Sequence, residues 1–343
     1  MPLQLDLSPS VGHRPLLRDA AYELSYRGGP FKPWQSKLRK KLRELLAVPN
    51  NTHDPLRVRS VWKREHPLGT IEKILFRAEK DVDVPAYWCV PHERMAPAAT
   101  FICLQGHSTG MHLSIGVDRE TETNPVDVKG GRDFAIGCMQ RGIAALCIEQ
   151  RSFGTRLENT QPIRTSNPSC QDAVVRGMLL GRTLNGERVF DVERGLDYLA
   201  ARGDVDMKHV GILGQSSGGT ISMLSAALLP QIAYCMPCCS TARFADSIAT
   251  IHHCVCNIIP GVMQWMDMGD ILGSIAPRPL VIINGKTDSI FPIASARKSY
   301  QQAKRIYAAA GNPNRVKFIE GPGGHDFYSD LGWAAMLKLM GTK

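Results

Sequence analysis

This chain has no long apolar run. Nothing in its 343 residues approaches the ~18 that a membrane helix needs, which excludes a helical span. Its opening, MPLQLDLSPSVGHRPLLRD (residues 1–19), has no apolar stretch and no small-residue cleavage site. No secretory signal is therefore expected, and the cytoplasm is the expected compartment. The chain also lacks internal repeats and low-complexity tracts, which removes solenoids and disordered linkers. Its net charge of +9 is partly gathered in KLRKKLR (37–43), but no aromatic residues are interleaved with those basic ones. That cluster reads as a solvated helix face, and no nucleic-acid partner is expected. What is present is an ordinary globular composition, 43% apolar and 21% charged. The length favours one large domain with insertions over two independent ones.

Trp34, Leu38, Leu42 and Leu45 recur at helical spacing, so 33–47 is predicted as an amphipathic helix within a helical preface. TIEKILFRA (70–78) and VPAYWCV (84–90) are rich in strand formers and are separated by a charged turn, which predicts a hairpin. Beyond them short apolar runs alternate with helical patterns. Strands are predicted at 99–106, 143–150, 209–216, 231–238, 279–285 and 315–321. Helices are predicted at 130–141, 183–202, 217–229, 293–310 and 328–340. Such alternation means an α/β fold: a mostly parallel sheet with helices on both faces and the antiparallel hairpin at one edge. The division expected is an N-terminal helical extension (1–65) and a catalytic domain (66–343), with insertions at about 152–181 and 241–274.

GILGQSSGGT (211–220) lies at the end of a predicted strand and opens a predicted helix. Gly214-Gln215-Ser216-Ser217-Gly218 fits G-x-S-x-G, the pattern of a nucleophile held on a sharp strand-to-helix turn. A serine there projects its hydroxyl above the sheet, and the helix N-terminus offers N–H groups to a developing oxyanion. The competing reading is a glycine-rich turn with serine as an N-cap. A serine hydroxyl needs a base, and a base needs an orienting acid. His325, in EGPGGHDF, directly follows the last predicted strand, and Asp288, in VIINGKTDSIFP, ends the preceding one. Asp326 is a rival acid, but its position beside His325 in sequence faces the ring badly. Backbone N–H groups of Ser217 and of His107, in CLQGHSTG (103–110), are expected to form the oxyanion hole. His107 as a second base is the alternative role.

The turn LQGHSTG, the strand end EQRSFGTR, the elbow GQSSGG, and the segments GKTDSIFP and GPGGHDFY together resemble the α/β-hydrolase superfamily. The likeness is to bacterial esterases of the acetyl xylan esterase and dienelactone-hydrolase-like group, over roughly residues 30–340. The resemblance implies the α/β-hydrolase fold. It also implies a nucleophile, acid and base at the positions of Ser216, Asp288 and His325. Dienelactone hydrolases proper use cysteine as nucleophile, so serine here points to esters. Gln105 stands where many relatives have histidine.

YCMPCCSTARFADSIATIHHCVCNIIPG (234–261) concentrates Cys235, Cys238, Cys239, His252, His253, Cys254 and Cys256. Thiols and imidazoles are zinc-ligand types, but HHCVC lacks the paired spacings of a finger. The ten cysteines are scattered, and the reading adopted is reduced, mostly buried thiols, with no metal and no cofactor. The excursion 241–274 is expected to cap the site, with Trp265 and Met266, and with Gln105 from the oxyanion turn, as substrate contacts. The resulting expectation is a serine carboxylic-ester hydrolase acting on short-acyl, acetyl-like esters, carbohydrate esters among them. A small-molecule or carbohydrate ester is the expected partner, no membrane is, and a homo-oligomer is left open. The alternatives are a serine peptidase of the same fold, a non-catalytic binding protein on this scaffold, and a zinc-stabilised interaction module.

Overall fold

The computed structural model describes residues 6–50, 54–107, 109–158 and 169–341. Residues 159–168 of the expected insertion 152–181, and Ser108 of the oxyanion turn, lie outside them. Among the described residues nine strands form one sheet: β1 (Arg59–His66), β2 (Gly69–Glu79), β3 (Val82–Pro91), β4 (Thr100–Leu104), β5 (Ala144–Ile148), β6 (Val210–Gln215), β7 (Tyr234–Cys238), β8 (Leu280–Gly285) and β9 (Val316–Gly321). The spatial order is β1-β2-β3-β5-β4-β6-β7-β8-β9. β1, β2 and β3 pair antiparallel, β3 meets β5 antiparallel, and every pairing from β5 to β9 is parallel. The expected sheet, edge hairpin included, is thus the observed one.

The helices are α1 (Ser10–Arg18), α2 (Phe31–Leu46), α3 (Phe134–Met139), α4 (Ser169–Leu179), α5 (Leu184–Arg202), α6 (Ser217–Leu228), α7 (Val262–Trp265), α8 (Met268–Gly273), α9 (Ile293–Ala309) and α10 (Ser329–Met340). They cover both faces of the sheet. Successive side chains of a strand point to opposite faces, and β4 shows the result. Ile102 and Leu104 join the core under α2, α5, α6, α8 and α9, while Phe101 and Cys103 join the core under α3 and α10. A strand covered on both sides has no polar face to display, so β4 to β8 are buried along their whole length.

β1, α4, α7 and α8 were not expected, the last two because the sequence reads 241–274 as an excursion without helices. β1 reads RSVWKREH and is exposed at most of its positions; as an edge strand it owes its conformation to pairing with β2, not to an apolar alternation. α4 arises in the stretch that shows no strong period. No helix of the described residues is long and apolar enough to cross a membrane.

The expected cap needs correction. Met266 is 0% exposed and belongs to the main core, and Met268 is buried beside it. Trp265 packs against the same core, takes the Lys41 ammonium over its ring at 4.1 Å, and accepts at its carbonyl from the Leu24 N–H at 2.7 Å. Residues 262–273 therefore tie α2 and the segment before it to the core. Asp267 and Asp270 form a capping box that starts α8 there. Trp265 and Met266 are not substrate contacts.

Candidate active site

β4 is flanked by β5 on one side and β6 on the other, so the chain turns away in opposite directions beyond these strands. Open α/β sheets bind ligands at such a switch point, off the carboxyl ends of the strands. The turn after β4 and the turn after β6 meet here.

The second of these turns is a strained elbow. Ser216 has φ 57° and ψ −123°, a conformation that L-residues rarely adopt, and it stands between the last residue of β6 and the first of α6. Its N–H donates to the Cys238 carbonyl at 2.8 Å, which ties the elbow to β7. The flanking glycines are sterically required. A Cβ on Gly218 would lie 2.0 Å from the Leu104 carbonyl oxygen, and one on Gly214 would lie 2.4 Å from the Gly218 carbonyl carbon. Only by omitting both can α6 pack so tightly against β4 and β6. Ser217, as the first residue of α6, has no intrahelical acceptor for its N–H.

The expected base and acid are joined. His325 Nδ1 lies 2.8 Å from Asp288 Oδ2, and the Asp288 side chain is 0% exposed. Asp288 Oδ1 accepts from the N–H groups of Ile290 (2.8 Å) and Phe291 (3.1 Å). Burial alone would raise this carboxyl. The His325 bond and charge, with the two N–H donors, outweigh it and hold Asp288 below its ordinary value. The Phe291 ring stacks on His325 at 6.0 Å. Gln215 Nε2 donates to the His325 carbonyl at 3.3 Å, so the residue before the serine also fastens the loop that carries the base. Cys239 directs its thiol to the carbonyl of Asp326 at 3.2 Å and braces the same loop. Asp326 faces elsewhere: its Oδ1 takes the Phe327 N–H, and a Cβ on Gly130 would meet that oxygen at 1.8 Å. The rival acid is thereby set aside.

Gln105 also needs correction. It is 2% exposed, and its amide donates to Ser114 Oγ (2.8 Å) and the Arg132 carbonyl (2.7 Å). Its own carbonyl accepts from Gln150 Nε2 at 2.6 Å. Gln105 anchors the turn after β4 inside the fold; it is not a substrate contact. Thr109 Oγ1 closes the same turn onto the Gly106 carbonyl at 2.6 Å.

A cavity of about 990 Å³ opens beside this turn. His107, His112, Ser152, Phe153, Cys170 and His253 are among its walls. Ser216 and His325 lie outside the lining, but the His253 ring meets Phe291 at 5.2 Å, and Phe291 stacks on His325. His253 Nε2 lies 2.9 Å from Ser247 Oγ, and burial lowers its pKa. Only residues 252–255 of the expected cap reach this space.

Arg188 was missed in the sequence because it sits in the middle of a helical pattern. It is 1% exposed, with its guanidinium 4.3 Å from the Phe153 ring centroid. It donates to Ser217 Oγ at 3.0 Å, to the Arg151 carbonyl, and to Cys170 Sγ at 3.7 Å. It thus pins the residue after the elbow serine. EQRSFGTR also has a structural explanation. Glu149 accepts from the Met111 and Thr155 N–H groups, and Arg151 and Arg156 both pair with the buried Asp191.

The cysteines do not form the single cluster their sequence suggests. Cys235 and Cys238 are buried in β7 and Cys239 just after it, as small apolar residues would be. Cys254 and Cys256 lie elsewhere, around a short 3-10 turn (Val255–Asn257), and there they meet Cys170 and His107.

The sequence profile of the Abhydrolase family matches residues 15–320, most of the chain. The chain belongs to the Abhydrolase family. Its curated relatives include YtaP of Bacillus subtilis, assigned as a hydrolase. That protein is 25% identical over 296 residues, which span 85% of this chain and 94% of YtaP. Solved structures of similar fold include a Bacteroides fragilis protein assigned as an acetyl xylan esterase. The match has a TM-score of 0.76 and 16% identity, and covers 92% of this chain and 83% of that one. A glucuronoyl esterase from Solibacter usitatus matches with a TM-score of 0.65 at 15% identity, over 93% of this chain and 96% of that one. At such identities the structural likeness establishes the fold. Within that Abhydrolase fold, the strand ends that carry Ser216, Asp288 and His325 belong to one continuous parallel sheet.

Proposed function

We propose that the protein is a serine carboxylic-ester hydrolase that works through Ser216, His325 and Asp288. The observation that carries this reading is the 2.8 Å contact between His325 Nδ1 and a fully buried Asp288, in a chain whose elbow serine is held at φ 57°. Asp288 accepts a hydrogen bond from Nδ1–H of His325, which fixes the tautomer and leaves Nε2 as the proton acceptor. Ser216 Oγ attacks the ester carbonyl carbon as Nε2 takes its proton. The N–H groups of Ser217 and His107 receive the oxyanion. The tetrahedral adduct then collapses: the carbonyl re-forms, the ester C–O bond breaks, and Nε2 returns the proton to the leaving alcohol. Water attacks the acyl-serine by the same route, releasing the carboxylic acid and restoring Ser216. Arg188 acts through Ser217 as a positioning residue.

The substrate reading is a short-acyl ester of a polar alcohol, with acetylated carbohydrate as the leading class. The names of the structural relatives, acetyl xylan esterase and glucuronoyl esterase, support it. So does the cavity, whose wall includes His112, Asp118, Arg119, Glu120 and His252. These side chains can hydrogen-bond the hydroxyl groups of a sugar, while Leu113, Phe153 and Leu157 in the same wall offer apolar contact. The cytoplasm remains the compartment of this proposal, and ten unbridged thiols fit a reducing one. Kinetics on p-nitrophenyl acetate, butyrate and octanoate, with an acetylated xylo-oligosaccharide beside them, test the substrate. The expected result is a kcat/KM that falls about tenfold or more from acetate to octanoate, with acetate released from the sugar. A rate constant that climbs to octanoate would overturn the short-acyl reading and leave the triad standing.

A further inference from the structure

Three separate segments bring soft ligand atoms together on the cavity wall. His107 follows β4, Cys170 lies in the first turn of α4, and Cys254 and Cys256 bracket Val255 in the loop after β7. Their Nε2 or Nδ1 and Sγ atoms all lie within 4.8 Å of one another. Cys170 Sγ and His107 Nε2 are 3.5 Å apart.

We propose that His107, Cys170, Cys254 and Cys256 bind one zinc ion.

Zinc takes thiolate sulfur at about 2.3 Å and imidazole nitrogen at about 2.05 Å in a tetrahedron, so sulfur and nitrogen ligands stand about 3.5 Å apart and two sulfurs about 3.8 Å. The Cys170–His107 distance matches the first of these values, and the mutual limit on all four atoms admits the rest. The ligand chemistry selects the metal. Three thiolates and one imidazole are a zinc set, whereas calcium and magnesium require oxygen.

Charge supplies an independent argument. Arg188 is buried and touches this cluster through Cys170 Sγ, and among the described residues no carboxylate lies within ion-pair distance of it. A buried guanidinium without a counter-charge is costly. Zinc with three thiolates and a neutral imidazole carries one net negative charge, which is the partner Arg188 lacks. On binding, each of the three thiols gives up its proton to solvent as its S–Zn bond forms, and no redox step is involved.

A disulfide accounts for less. Any bridge among the three thiols would leave the third unused and would supply Arg188 with no negative charge.

With four protein ligands the site is closed, so it is structural and not hydrolytic. Its effect is to lock the turn after β4, whose His107 N–H is aimed at the oxyanion, to α4 and the 254–256 turn. The side chain of His107 binds metal while its backbone N–H stays with the ester. The zinc proposal does not depend on the ester reading.

The test is metal analysis of the full chain purified under reducing conditions, followed by cobalt titration of metal-stripped protein. One zinc per chain is expected, with a thiolate-to-cobalt charge-transfer band. Cys254→Ser and Cys256→Ser should each weaken zinc retention at least about tenfold. Cys235→Ser, in β7, should keep the metal, and so should Ser216→Ala, which separates this proposal from the catalytic one. If the serine variants fail to fold, the cobalt spectrum of the unaltered chain decides. Absence of both zinc and the charge-transfer band, or full zinc retention in both cysteine variants, would overturn the proposal.

Discussion

Replacing Ser216 by alanine is expected to lower kcat by about 10⁶ while leaving the fold intact. The side chain removed is the one that forms the covalent bond, and nothing nearby can stand in for it. Ser217 is adjacent, but its Oγ is buried and already accepts from Arg188 Nη1 at 3.0 Å. It therefore lacks both the exposure and the free lone-pair geometry of a nucleophile. The substitution should not disturb the elbow, because alanine adds no atom to a backbone whose tight contacts are made at Gly214 and Gly218. Thermal melting should stay close to that of the unaltered protein while ester turnover is lost. Ser217→Ala should keep most of the activity, losing only the hydroxyl that Arg188 holds. Retained turnover in Ser216→Ala, or its loss in Ser217→Ala alone, would mean that the elbow has been misassigned.

Asp288→Asn should cost about 10⁴ in kcat with little change in KM. The shapes of the two side chains match, so packing survives, but the hydrogen-bond logic does not. The carboxylate accepts at both oxygens: from Ile290 and Phe291 at Oδ1, and from His325 at Oδ2. With the two N–H donors keeping the asparagine carbonyl at the Oδ1 position, its NH₂ group faces Nδ1. Nδ1 must then become the acceptor, the proton moves to Nε2, and the ring no longer takes a proton from Ser216.

The pH behaviour follows from the same contacts. Asp288 is held below its ordinary value of 3.8 in the folded protein. Its contribution to stability is present above that value and fades as the pH falls through the lowered one. The stability gap between the two proteins should therefore hold at neutral pH and narrow in strong acid, below about 3.8. A denaturant series at several pH values reads the gap, and steady-state kinetics read the loss. An asparagine variant within tenfold of the unaltered rate would remove Asp288 from the mechanism.

The parallel sheet was legible because strands buried on both faces must be apolar throughout, and β4 to β8 are. The elbow was legible because steric demands leave glycine as the only tenant of positions 214 and 218. The pairing of Asp288 with His325 was legible from their places just beyond the ends of β8 and β9. β1 carries no such imprint, since an exposed edge strand is defined by its partner. The supposed cap failed for a different reason. Methionine and tryptophan suit a binding surface and a core equally well; what decides at 265 is contact with Leu24 and Lys41, more than 200 residues away in sequence, and at 266 burial in the main core. Gln105 was misread in the same way, because its partners Ser114 and Arg132 are 9 and 27 residues further on, and no local pattern at 105 signals them. The meeting of positions 107, 170, 254 and 256 has no spacing signature, because three segments far apart in the chain create it.

In the proposed mechanism Ser216 is the nucleophile. Peptide mapping of the full chain after reaction with a fluorophosphonate tests it most directly, because the reagent bonds only to a serine activated by its own base. The account predicts one phosphonyl group per chain, on Ser216, with ester hydrolysis lost in step with labelling and neither occurring in Ser216→Ala. A label on Ser217 or on any other residue, or an enzyme that stays fully active and unlabelled, would contradict it.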